Sequence, residues 1–196
     1  MHPYIHAQNN PDKPAYIMAN SGEVVTYKQL DERSNQIAHL FRSRGLQIGD
    51  TISVFLENTP RFPEIIWAAQ RSGLYHTPVS SRLTASEVEY IFRDCGAKLI
   101  ISSYALTNTA EELSFLMKDI PDRLMIDGVG EGWESFEEAI VQMPTTPIED
   151  QIMGQDMLYS SGTTGRPKGI KFPLQNIPIE QSEDLMAVVT GLYGTT

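Results

Sequence analysis

The sequence predicts an α/β fold, a mostly parallel sheet flanked by helices. Short β-branched runs at Thr51–Leu56 and Lys98–Ser102 read as buried strands, helical periodicity fills the intervals, and Gly, Pro, Asn and Ser punctuate the junctions. Strands separated by helices of that length are βαβ units, which cross over right-handed and pack their helices on the sheet.

Along the chain, Ala15–Met18 and Glu23–Val25 flank Asn20-Ser21-Gly22, residues that accept the positive φ of a tight turn, so a hairpin opens the fold. Thr26 and Gln29 have the spacing of a capping box. Leu30, Ile37 and Phe41 then follow at helical intervals until Gly45 offers a stop. After the strand at Thr51–Leu56, Thr59-Pro60 places a capping hydroxyl ahead of a proline at the first helical position, for a helix ending near Arg71 with Gly73 behind it. Thr84 and Glu87 make a second capping box, for a helix carrying Val88, Ile91 and Phe92 and closed by Gly96. Between Tyr104 and Gln155 the pattern gives a helix at Ala110–Met117, a strand at Arg123–Ile126, a helix at Phe136–Val141 and an acidic connector at Pro144–Asp150. Neither an internal repeat nor a low-complexity tract interrupts this series.

Composition narrows the function classes. The 196 residues carry 15 Lys+Arg against 25 Asp+Glu, a net charge of −10. Affinity for nucleic acid draws on clustered cations, so such a partner is not expected. The single cysteine, Cys95, excludes an intramolecular disulfide and a Cys-based zinc site, which favours a reducing, cytoplasmic setting. Its place before Gly96, at a helix C-terminus, disfavours a thiolate nucleophile. The residues Met1 to His6 lack the pattern of a signal peptide, and apolar runs such as Ile65–Ala69 are too short to span a bilayer. His2, His6, His39 and His76 show no ligand spacing and read as surface or packed side chains; no structural metal is expected. Phe55, Phe62, Trp67 and Tyr75 read as core. The acidic residues Glu111, Glu112, Glu131, Glu134, Glu137 and Glu138 read as solvated faces.

The stretch that carries chemistry is Tyr159-Ser160-Ser161-Gly162-Thr163-Thr164-Gly165-Arg166-Pro167-Lys168-Gly169. Four aliphatic hydroxyls, three glycines and two cations fall within eleven positions. Glycines let backbone N–H groups approach an anion closely, hydroxyls add donors, and Lys or Arg offsets charge, a composition suited to a polyphosphate. A solvated Gly/Ser/Thr hairpin is the plainer alternative, because such linkers are common. The order is not that of a Walker loop, since Pro167 precedes Lys168, Gly169 follows it, and Ile170-Lys171-Phe172 reads as strand. The loop is therefore expected to join two strands; a helix beginning at Lys168 would instead revive a P-loop kinase.

These eleven residues closely resemble the ATP-binding signature of the adenylate-forming superfamily, which includes acyl-CoA synthetases, peptide-synthetase adenylation domains and luciferases. Three upstream segments resemble the opening of the same family: Thr26–Leu30 through Gly49-Asp50, Leu56–Asn58 through Ala68-Ala69, and Leu83-Thr84 through Lys98–Ile100. The resemblance covers most of residues 10 to 172 and is nearest in style to fatty-acyl CoA ligases. It implies a carboxylate substrate, ATP with Mg, and CoA as the thiol. It also implies that Ser160, Ser161, Gly162, Thr163, Thr164 and Gly165 cradle the β- and γ-phosphates, with Lys168 beside them as a mobile cation. Thr163 and Thr164 carry the best-suited hydroxyls, and Arg166 falls where the family varies and has no catalytic role.

The family's magnesium, ribose and adenylation-lysine motifs have no counterpart after Lys171. Residues 1–196 therefore read as an incomplete N-terminal AMP-binding domain lacking the C-terminal catalytic domain, binding ATP weakly and turning over nothing alone. A noncatalytic interaction or regulatory module derived from the same architecture is the alternative. The apolar run Leu185–Val189, without its packing partners, implies self-association.

Overall fold

The computed structural model describes residues 2–120, 122–160 and 166–181. A two-stranded antiparallel hairpin, β1 (Pro14–Ile17) and β2 (Val24–Thr26), turns at Gly22, whose φ is 72°. Thr26 then caps helix α2 (Tyr27–Ser43), its hydroxyl accepting from the Gln29 amide while the Gln29 side chain accepts from the Thr26 amide. The apolar stripe of α2 is buried as expected, with Leu30, Ile37, Leu40 and Phe41 out of contact with solvent.

The main sheet runs β7-β6-β5-β3-β4-β8-β9. It comprises β3 (Thr51–Leu56), β4 (Tyr75–Ser80), β5 (Ala97–Ser103), β6 (Asp122–Ile126), β7 (Glu134–Ser135), β8 (Gln155–Ser160) and β9 (Lys168–Lys171), all pairing parallel except β8 with β9. Alternation along the strands serves two cores. On one face Ile52, Val54, Leu56, Leu99, Ile101, Leu124 and Ile126 meet α2, α3 (Arg61–Arg71) and α6 (Phe136–Ile140). On the other, Phe55, Ile100 and Met125 meet α4 (Ala85–Cys95) and α5 (Thr107–Leu116). A strand buried on both faces is apolar at nearly every position, which is why Thr51–Leu56 was readable without neighbours.

Several features differ from expectation, among them the start of α5, which lies at Thr107 where Ala110 was expected. A helix α1 spans Pro3–Asn9; His2 caps it, Nδ1 accepting from the Tyr4 amide at 3.2 Å, and its ring packs edge-on against Trp67 with centroids 4.9 Å apart. Histidine is not a usual cap, so Pro3 at the first helical position was the one local start signal. Strand β4 contains Pro78, which argues against a central strand, but β8 pairs only with Tyr75 and His76, and Pro78 lies beyond the point where β8 departs. The two residues of β7 are too few to register as a pattern. Helix α3 begins one residue later than expected: Pro60 is its cap, and Thr59 Oγ1 accepts from Arg61 N at 3.4 Å.

Long-range polar contacts fix the layers. The Glu64 carboxylate, fully buried, accepts from Arg33 at 2.7 Å and Arg61 at 2.8 Å, tying α2 to α3. The connector around residues 144–150 is held against α2: Asn35 Nδ2 donates to the Thr145 carbonyl at 2.8 Å, and Arg42 pairs with Asp150 at 3.0 Å. This anchoring leads the chain to β8, beside the edge strand β9.

Candidate functional site

The site is built where β8 leaves the sheet. Gly154 lies so close to the end of α3 that a Cβ on it would fall 2.3 Å from the Leu74 carbonyl oxygen and 2.7 Å from that of Ala69. Its amide donates to the Gln70 carbonyl at 2.6 Å. Only glycine permits this approach, and it sets Gln155 and Asp156 beside Tyr75 and His76 of β4. From Met157 onward β8 exchanges β4 for β9, in the register Met157↔Lys171, Leu158↔Ile170, Tyr159↔Gly169 and Ser160↔Lys168. The expected strand–loop–strand arrangement is thus present at its base, and Lys168 opens a strand, not a helix. That removes the P-loop kinase alternative.

Of the expected phosphate-contacting residues, Ser160 and Lys168 face each other across the hairpin and are both exposed. Directly opposed residues share a face, so a hydroxyl and an ammonium stand side by side where the chain enters and leaves the intervening segment. Among the described residues Lys168 has no carboxylate partner. Ser161, Gly162, Thr163, Thr164 and Gly165 lie outside the described residues, as does the run Leu185–Val189.

The inner face of the hairpin packs toward α4 and β4. Tyr159 Oη donates to Asp94 Oδ2 at 2.6 Å, and burial together with that bond pushes the phenol pKa above its ordinary value, so it remains a donor. Tyr90 Oη donates to the Pro167 carbonyl at 3.1 Å, and the Arg166 guanidinium lies over the Tyr90 ring, 4.9 Å from its centroid. Arg166 therefore packs on α4. Farther along, Tyr75 Oη donates to the Phe172 carbonyl at 2.7 Å and Lys171 Nζ sits 4.1 Å from the Tyr75 ring centroid. The outer face is apolar beyond the mouth, with Leu158, Ile170 and Phe172 each about half exposed or more. A depression of about 450 Å³, bounded by Leu83, Ser86, Glu87, Tyr90, Arg166 and Pro167, opens beside the loop's exit.

Tyr90 and Asp94 were not singled out from the sequence, although their spacing of four places them on one face of a legible helix. The other candidates occupy packed or paired positions. His76 is buried and its pKa is pushed down to about 4, chiefly by loss of water; His2 is buried beside Arg71, which with burial lowers its pKa to about 3. His39 Nε2 lies 2.9 Å from the Thr146 carbonyl. Burial raises the Cys95 thiol pKa. Phe55 and Tyr75 are core, Phe62 packs at its margin, and Trp67 is half-buried under His2. Glu134 pairs with Arg44 at 2.6 Å. Among the described residues no three His, Cys, Asp or Glu side chains converge as a metal site would require, and no helix is long and apolar enough to cross a membrane.

Comparison with known proteins covers most of the chain. Residues 4–191 match the family model described as AMP-binding enzyme. Among curated relatives, a fatty acid–[acyl-carrier-protein] ligase, ScoC, of Streptomyces coeruleorubidus is 32% identical over 84% of this chain and 31% of its own length. Long-chain fatty acid transport protein 6 of Homo sapiens is 29% identical over 83% of this chain and 28% of its own length. In fold, a Mycobacterium tuberculosis fatty acyl CoA synthetase superposes with a TM-score of 0.73 at 21% identity, covering 86% of this chain and 33% of that one. The anthranilate CoA ligase AuaEII, solved with anthranoyl-AMP, gives 0.72 at 24% identity, covering 86% and 34%. The chain thus spans about a third of the length of these proteins.

Proposed function

Because the chain belongs to the AMP-binding enzyme family, whose members activate acids through an adenylate, we propose that its β8–β9 hairpin grips the triphosphate tail of ATP in the activation of a fatty acid. The carboxylate oxygen attacks the α-phosphorus, the bond to the bridging oxygen breaks, and pyrophosphate leaves. A thiol, that of CoA by the family resemblance, then attacks the acyl carbon of the adenylate, and AMP departs while the thiol proton is lost to solvent or base. The demand of the first step is stabilisation of charge on the departing pyrophosphate, and donors fixed in advance do this most effectively.

The observation that carries this reading is the pairing of Ser160 with Lys168 at the mouth of the Gly/Ser/Thr segment. On this reading Ser160 is a hydroxyl donor and Lys168 the neighbouring cation, and by the family resemblance Ser161, Gly162, Thr163, Thr164 and Gly165 complete the cradle. By the family resemblance, magnesium would be held by groups other than these. The chain covers 31% or less of the first relatives' own lengths, and the role proposed for this span is the triphosphate grip. Loss of a single charge-stabilising donor alone costs roughly 100- to 1,000-fold in rate.

Titration calorimetry tests this directly. The chain should bind ATP and inorganic tripolyphosphate more tightly than AMP, and Lys168→Ala should weaken both polyphosphates about tenfold, the loss expected of one charge-assisted contact. Fatty-acid-dependent pyrophosphate exchange should stay at background. Equal affinity for AMP and tripolyphosphate, unchanged by Lys168→Ala, would favour the noncatalytic module instead. Exchange abolished by Lys168→Ala would show that the chain is active alone.

A further inference from the structure

The hairpin has only a short connection to the sheet, yet both of its arms are tied to one helix. Just before the loop, Tyr159 donates to Asp94 at 2.6 Å; just after it, the Pro167 carbonyl accepts from Tyr90 at 3.1 Å. We infer that Tyr90 and Asp94 of α4 form a two-point clamp that fixes the separation and direction of the hairpin arms, making them positioning residues for the triphosphate grip. The clamp's part in binding rests on the reading proposed above; its mechanical part does not.

Spacing supports this. Residues four apart on a helix stand about 5–6 Å from one another on its surface, close to the roughly 4.8 Å between neighbouring strands. A helix crossing beneath a hairpin can therefore hold one strand with each of two such residues. The Asp94 carboxylate is committed to this bond: Arg93 next to it pairs with Glu89 and Asp119, and Asp94 has no ion pair among the described residues. The Arg166 guanidinium over Tyr90 adds a further contact at the same arm.

Gly169 completes the device. It lies opposite Tyr159, and a Cβ there would fall 2.8 Å from Tyr159 Cζ and 2.6 Å from Met157 Cε. The tyrosine ring lies across the glycine, an arrangement in which the aromatic side chain covers a bare strand position, and only this passage lets its hydroxyl reach α4. A glycine following the cationic residue thus acts through Tyr159, by leaving its ring a path.

Hydrogen-exchange mass spectrometry of the 196-residue chain, without ligand, reads the clamp itself, and calorimetry with inorganic tripolyphosphate reads its consequence. Tyr159→Phe and Asp94→Ala should each speed exchange in the segment spanning β8 and β9 about fivefold to tenfold while leaving β3 and β5 unchanged, and should weaken tripolyphosphate several-fold. Asp94→Asn, which keeps a carbonyl acceptor for the phenol, should behave nearly as the parent. Tyr90→Phe, which removes a single hydroxyl and preserves the core, gives a second route should Asp94→Ala fail to fold. Parent-like exchange in Tyr159→Phe and Tyr90→Phe would overturn the clamp, and faster exchange with unchanged tripolyphosphate affinity would overturn its positioning role. Faster exchange in a chain whose parent form binds no tripolyphosphate would keep the clamp and remove the phosphate-grip reading.

Discussion

His76 shows how a single buried side chain couples this fold to pH. It sits in β4 between β3 and β8, with Asp156 at the paired position on β8, and burial holds its pKa near 4 against an ordinary 6.5. The folded form keeps the ring neutral while the unfolded chain takes up a proton below 6.5. Stability is therefore complete above that pH and declines as pH falls from 6.5 towards 4, by up to about 3 kcal/mol for this residue. Urea unfolding across that window should show the decline, and His76→Leu should flatten it by a similar amount; identical profiles would contradict the assignment. A remaining slope is expected from His2, whose pKa is held lower still. The sequence allowed a packed histidine at these positions but could not say which would be buried, because burial depends on Arg71, Trp67 and β8, all distant in the chain.

At the scale of elements, legibility follows from whether the determining residues are local. Helices α2 and α4 carry their own start and stop signals, Thr26 with Gln29 and Thr84 with Glu87 before them and Gly45 and Gly96 behind, and both lie where those signals place them. Helix α1 and strand β4 are signalled less fully: α1 has Pro3 at its first position but an uncommon cap in His2, and in β4 Pro78 disguises a strand that its neighbours tolerate. Strand β8 depends on a contact no local pattern reveals, the passage of Gly154 against the Leu74 and Ala69 carbonyls. Gly154→Ala must push backbone against backbone and should cost about 2–3 kcal/mol in denaturant unfolding. A change under about 0.5 kcal/mol would show that β8 can shift without resistance.

For the whole molecule, the strand order places the candidate site at one edge of the sheet, and in a chain of net charge −10 two cations, Arg166 and Lys168, follow the loop at its exit. The motif itself was legible because its eleven residues are consecutive in the sequence. The support beneath it was not, because Tyr90 and Asp94 meet the hairpin across 77 and 65 residues of chain, and no sequence spacing reports such a contact. The AMP-binding enzyme family model and the shared fold cover most of the chain, and the role proposed for this part is to grip nucleotide by its phosphates. Hydrogen exchange of the full chain with and without ATP measures that most directly. Slowed exchange confined to the segment from Ser160 to Gly169, reproduced by tripolyphosphate and lost in Lys168→Ala, is the predicted result; protection elsewhere, or none at any concentration that saturates binding, would contradict it.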